Sequence, residues 1–127
     1  MKTLTTYAAI GIGSGLGSAL RYVISLMMID AFASDFPWGT LLVNVAGCWL
    51  IGWLAAQIAK APEARLAGWQ PFLIAGVCGG FTTFSLFSLE VALLAQSDLA
   101  LALVYTLGSL PLWLAAVWLG QRCAIGR

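Results

Sequence analysis

The sequence predicts an all-α membrane protein: one domain, residues 1–127, of four transmembrane helices, with the third helix broken at mid-membrane. Three observations carry that prediction. Of the 127 residues, 61% are hydrophobic and 9% charged, where a soluble domain carries about 25% charge. Mean hydropathy is +0.96, so too little polar surface exists to face water and the chain belongs in a bilayer. Four apolar windows are each long enough to span one, and the third is interrupted by GGFTTFSLFS, residues 79–88.

A spanning helix needs about 20 mostly apolar residues. Four windows meet that length, approximately 5–29, 38–59, 71–95 and 99–120. The polar residues gather between them, in a first loop with Asp30 and Asp35, a second with Lys60, Glu63 and Arg65, and a short third, Gln96-Ser97-Asp98. Trp38, Trp69 and Trp118 fall near span ends, as an interfacial aromatic belt requires, whereas Trp53 and Trp113 fall deeper. Met1-Lys2 before an apolar run imitates a secretory signal, but glycines interrupt the run and no clear cleavage site ends it.

Composition excludes several classes. A net charge of +1 gives no basic footprint for nucleic acid. Histidine is absent, which removes the commonest general base and metal ligand. No nucleophile stands beside a base, so an enzyme is not expected. Cys48, Cys78 and Cys123 are isolated and read as packed side chains rather than a disulfide or a metal site.

In the first span, Gly11, Gly13, Gly15 and Gly17 offer a face on which helices approach closely. Their G-x-G-x-G-x-G spacing is not the dinucleotide fingerprint, and no strand precedes it. Arg21, later in the same span, either snorkels toward the Asp30/Asp35 loop or forms an electropositive vestibule. In the second span Asn44 follows Thr40 by one helical turn. Its amide, with two N–H donors and one acceptor, serves either an interhelical hydrogen bond or a permeating species.

The third span holds the densest signal. Gly79-Gly80 weakens the helix, and Thr82 and Thr83 compete for its backbone groups. A break at mid-depth is tolerated only inside protein or beside a cavity, and freed carbonyls suit a hard cation. Beyond the break Phe84, Phe87 and Ser88 share a face, and in the fourth span Tyr105, Ser109 and Trp113 line up at four-residue spacing. No carboxylate is expected near mid-membrane, since Glu90 lies toward the end of the third span and the other acids are in loops. Amide, hydroxyl and aromatic-edge donors without a fixed charge suit a small dehydrated anion. A bundle this small has little room for a lined path inside it, so an oligomer is expected.

Three motifs make the chain resemble the Fluc (CrcB) family of fluoride channels: Gly17-Ser-Ala-Leu-Arg21, Gly39-Thr-Leu-Leu-Val-Asn44, and Gly79 through Glu90. The likeness covers essentially the whole chain. It implies an antiparallel, dual-topology homodimer in the cell inner membrane, with two fluoride pores. It further implies that Asn44 donates to fluoride, that Phe84 and Phe87 turn ring edges to it, and that Ser88, Tyr105 and Ser109 continue a polar track. Arg21 matches the family's vestibule arginine. The backbone carbonyls of Gly79 and Thr82 from both subunits would hold a structural Na+ at the dimer centre. Leu86 and Trp113 depart from the family, each standing where a hydroxyl residue is usual, and both departures fall on the outer track.

Lys2, Lys60, Arg65, Arg122 and Arg127 all lie on the side of the termini, which by the positive-inside rule favours cytoplasmic ends. A chain that inserts both ways should show little bias, so the count sets a homodimer, the favoured reading, against pairing with an oppositely inserted paralogue. Two other functions compete. A small four-helix, antiparallel-dimer exporter of cationic compounds needs a buried carboxylate for proton exchange. A non-transporting assembly subunit would leave the hydroxyl-rich break unexplained.

Overall fold

The computed structural model describes residues 2–32 and 34–126 and is helical throughout, with no strand among them. Arg127, counted above with the basic residues, and Ala33 of the first loop lie outside the described residues. Helix α1 spans Lys2–Phe32, α2 spans Trp38–Lys60, and a single turn, α3, spans Arg65–Gly68. The third span, Pro71–Ser97, comes in pieces: a π-helical segment Pro71–Cys78, a turn α4 at Gly79–Phe81, and α5 at Ser85–Ser97. Helix α6, Leu99–Ile125, completes the chain. Four of these runs are long and apolar enough to cross a membrane. The longest overrun the predicted windows at their ends. At about 1.5 Å per residue a 27-residue helix is ~40 Å long, enough to cross and to reach beyond the hydrocarbon.

Packing follows small residues. Helix α2 lies along α6, and α1 lies along the first half of the third span. A Cβ on Gly52 would overlap the Val117 carbonyl, and one on Gly120 would overlap that of Trp49. On the other pair, a Cβ on Gly17 would overlap the Val77 carbonyl and one on Gly80 that of Ser14. Backbone meets backbone at these points, so only glycine fits. The four glycines of α1 therefore divide. Gly13 and Gly17 are buried against the third span, while Gly11 and Gly15 have open space around them. A buried cluster of Phe87, Leu94, Ala102 and Tyr105 joins α5 to α6, with Phe36 and Trp113 packed on it.

Candidate functional site

The centre of interest is the junction between α4 and α5. Thr82 has an extended backbone, φ −81° and ψ 158°, and helical geometry resumes at Phe84. Several backbone groups at the junction have partners outside the helical ladder. The Thr83 N–H donates to Asn44 Oδ1 at 2.7 Å, and Asn44 Nδ2 donates to the Thr83 carbonyl at 2.8 Å. Asn44 thus holds Thr83 as a paired strand residue would. The Leu86 N–H, in the first turn of α5, donates to Thr83 Oγ1 at 3.2 Å. Ser18 Oγ and Arg21 Nε, each at 3.2 Å, both donate to the Gly80 carbonyl at the end of α4. In an unbroken helix the Thr83 and Leu86 N–H groups would bond the carbonyls of Gly79 and Thr82. Here those two donors serve Asn44 and Thr83 instead.

Around this junction lies a cavity of about 190 Å³, lined by Asn44, Cys48, Thr82, Thr83, Phe84 and Trp113, with Ile51 beside them. Phe87 is buried, with its ring edge-on to two neighbours: 5.0 Å and 60° from Tyr105, and 4.8 Å and 71° from Trp113. Phe84, 5.6 Å from Phe87, is 66% exposed and marks the outer side of the cavity. The structure therefore brings Asn44 and Phe84 to the cavity lining, with Phe87 buried against the Phe84 and Trp113 rings. A bilayer leaves no water to satisfy polar backbone, so the pairing of Asn44 with Thr83 is what makes a break tenable at this point.

The other predicted residues are placed less uniformly. Ser88 is exposed and its hydroxyl donates to the Phe84 carbonyl at 2.9 Å. Ser109 is 1% exposed and its Oγ has no partner. Tyr105 is 2% exposed, but its single hydroxyl hydrogen goes to Glu90 Oε2 at 2.9 Å. In this arrangement its ring faces Phe87 while its O–H is already engaged. Arg21 is half-buried and turned to Gly80 rather than to the Asp30/Asp35 loop. Gly79 is exposed and Thr82 half-buried, with Thr82 Oγ1 donating back to the Cys78 carbonyl.

Sequence reasoning gave no role to Glu90. In the structure it gathers two hydroxyls, from Thr40 Oγ1 at 2.6 Å and from Tyr105, and so ties α2, α5 and α6 together. Its carboxylate lines a second cavity of about 220 Å³ with Ser25, Thr40 and Leu86. The signal for it was present in pieces, Thr40 on the face of Asn44 and Tyr105 on that of Ser109, but nothing in the spacing placed either beside residue 90.

A sequence profile for the family described as "CrcB-like protein, Camphor Resistance (CrcB)" matches residues 8–121. The chain is 43% identical over 123 residues to a protein of Paramagnetospirillum magneticum named "Fluoride-specific ion channel FluC", covering 95% of this chain and 96% of that one. A protein of the same name from Opitutus terrae is 43% identical over 127 residues, covering 97% of this chain and 95% of its own. A third, "Fluoride-specific ion channel FluC 1" of Rhodopseudomonas palustris, is 43% identical over 122 residues, covering 93% of this chain and 85% of its own.

Proposed function

The chain belongs to the CrcB family, and from that membership we infer that it is a fluoride channel. It is a multi-pass membrane protein and not an enzyme. Hydrogen fluoride enters cells as a neutral weak acid and dissociates inside. The channel then lets the anion leave passively down its electrochemical gradient, which lowers fluoride toxicity. The observation that carries this reading is the junction cavity, where Asn44 and Phe84 meet at an interruption of the third span, with the Phe87 ring centred 5.6 Å from that of Phe84. Asn44 commits one N–H to Thr83 and has a second to offer an anion. Ring edges carry positive potential and suit the same ion. In this reading Arg21 forms the vestibule, and Ser88, Tyr105 and Ser109 extend the polar track.

The functional unit in this reading is an antiparallel homodimer in the cell inner membrane, its two third spans crossing on the two-fold axis. A structural Na+ fits there, held by the Gly79 and Thr82 carbonyls of both subunits. The redirection of the Thr83 and Leu86 N–H groups away from those carbonyls supports the assignment. Among the described residues no group of three or more Cys, Asp and Glu side chains is placed to hold a metal. The cation-exporter alternative finds no support among the relatives.

Efflux from liposomes tests the function. Vesicles containing only this purified chain should release loaded fluoride quickly and retain chloride. Retention of both ions by a well-folded preparation would sink the reading of this chain as a self-sufficient channel.

A further inference from the structure

Along α1, Ser14, Gly17, Ser18 and Arg21 stand at i, i+3, i+4 and i+7 and so share one face. All four meet residues 77–81, where the first half of the third span ends. A Cβ on Gly80 would overlap the Ser14 carbonyl, and one on Gly17 would overlap the Val77 carbonyl and the Phe81 nitrogen. Ser18 Oγ and Arg21 Nε both donate to the Gly80 carbonyl, each at 3.2 Å. We propose that Ser18 and Arg21 are positioning residues for the cation site at the junction: together they fix and fill the Gly80 carbonyl, which leaves those of Gly79 and Thr82 as the ligand pair. This rests on the cation assignment above and adds the residues that set its affinity.

A carbonyl oxygen has two lone pairs. In an unbroken helix the Gly80 carbonyl would accept from the Phe84 N–H, but Thr82 is extended and turns the chain away. Lipid cannot replace that donor. Two side chains of α1 do so, one of them cationic, and with both lone pairs engaged the Gly80 oxygen has nothing left for a metal ion. Its neighbours differ, because the N–H groups that would otherwise take the Gly79 and Thr82 carbonyls serve Asn44 and Thr83. Glycine is the residue whose peptide planes turn most freely, so Gly79-Gly80 alone would leave these carbonyls loosely aimed. The clamp on Gly80 removes that freedom from the peptide next to the Gly79 carbonyl. Metal ligands held in place by outer partners bind more tightly. Charge acts in the opposite sense, since a guanidinium near a cation site repels the cation. Positioning and plain electrostatics therefore predict opposite signs when Arg21 is removed.

Sodium-dependent melting reads the site without transport. The purified full chain is melted across a series of Na+ concentrations, with N-methylglucamine replacing Na+ at constant ionic strength. The concentration that gives half of the stabilisation is the midpoint. Arg21→Met keeps an unbranched side chain and removes the charged donor, and Ser18→Ala removes the other donor. The midpoint should rise about ten-fold or more in Arg21→Met and about three-fold or more in Ser18→Ala, over and above any change in melting without Na+. Arg21→Lys, which retains a charged donor, should recover most of the shift. A midpoint unmoved or lowered in both Arg21→Met and Ser18→Ala would overturn the inference. A merely structural contact lowers melting equally at every Na+ concentration, and loss of a repelling charge alone tightens Na+. If Arg21→Met does not fold, Ser18→Ala decides alone. Melting of the unmodified chain that ignores Na+ would overturn the cation assignment and this inference together, while fluoride efflux from the same preparation reports separately on the channel reading.

Discussion

Asn44 does two jobs with one side chain, and they can be separated by measurement. Its amide oxygen and one N–H close a pair of hydrogen bonds to Thr83, and in the proposed channel its other N–H meets the ion. Asn44→Ala takes these partners from the half-buried Thr83 N–H and carbonyl, at up to about 1–3 kcal/mol for each group. The variant is therefore expected to melt earlier in detergent as well as to conduct roughly ten-fold less fluoride or worse. Loss of flux with an unchanged melting temperature would show that the Thr83 pairing contributes nothing to the fold. The sequence made Asn44 conspicuous as an amide at membrane depth, but both of its roles had to stay open. Its partner lies 39 positions away, and no periodicity within one helix points across that distance. The same holds for Glu90. Read along the chain it sits toward a span end, whereas the fold encloses it between hydroxyls from two other helices.

At the scale of elements, the four glycines of α1 show what helical geometry decides and what it leaves undecided. Residues two apart point to different faces, and residues four apart share one. The sequence therefore defined two pairs, Gly11 with Gly15 and Gly13 with Gly17, without naming the pair that meets a neighbour. The fold sets Gly13 and Gly17 against the third span and leaves Gly11 and Gly15 open. Gly17→Ala forces a methyl onto the Val77 carbonyl, a backbone atom that cannot swing aside, and should cost about 1–3 kcal/mol or more. Gly15→Ala meets nothing within one chain and should raise helix stability by up to about 1 kcal/mol. Thermal melting of the two variants in one detergent checks both signs, and similar losses in both would mean that the open face is occupied in the assembly. The interruption of the third span follows the same logic. Glycine, threonine and serine marked where helical bonding gives way, but the π-helical turn ahead of it, Pro71–Cys78, left no compositional trace beyond an opening proline.

For the whole molecule, the open question is how a chain with a lopsided charge count sits in the bilayer. Only 11–28% of each span's apolar window is buried within one chain, so most of every helix faces lipid or a second chain. Basic residues crowd one end, but Lys60 does not stand free there. Its Nζ donates to the carbonyls of Ala124 at 2.6 Å and Ile125 at 3.3 Å, at the C-terminal end of α6, where the helix dipole carries partial negative charge. Arg122, on the same turn, lies 4.9 Å over the Trp118 ring. Both side chains thus have partners within the folded chain, yet both remain cationic. Cys123, exposed beside these groups, is a natural reporter of which side they occupy. With Cys48 and Cys78 changed to Ala, a membrane-impermeant maleimide applied to sealed spheroplasts should label about half of the Cys123 thiols, and the remainder only after permeabilisation, because a two-fold antiparallel pair puts one copy on each side. Complete labelling, or none until permeabilisation, would mean a single orientation. The dimer would then need an oppositely inserted partner chain, and liposomes carrying this chain alone should hold their fluoride.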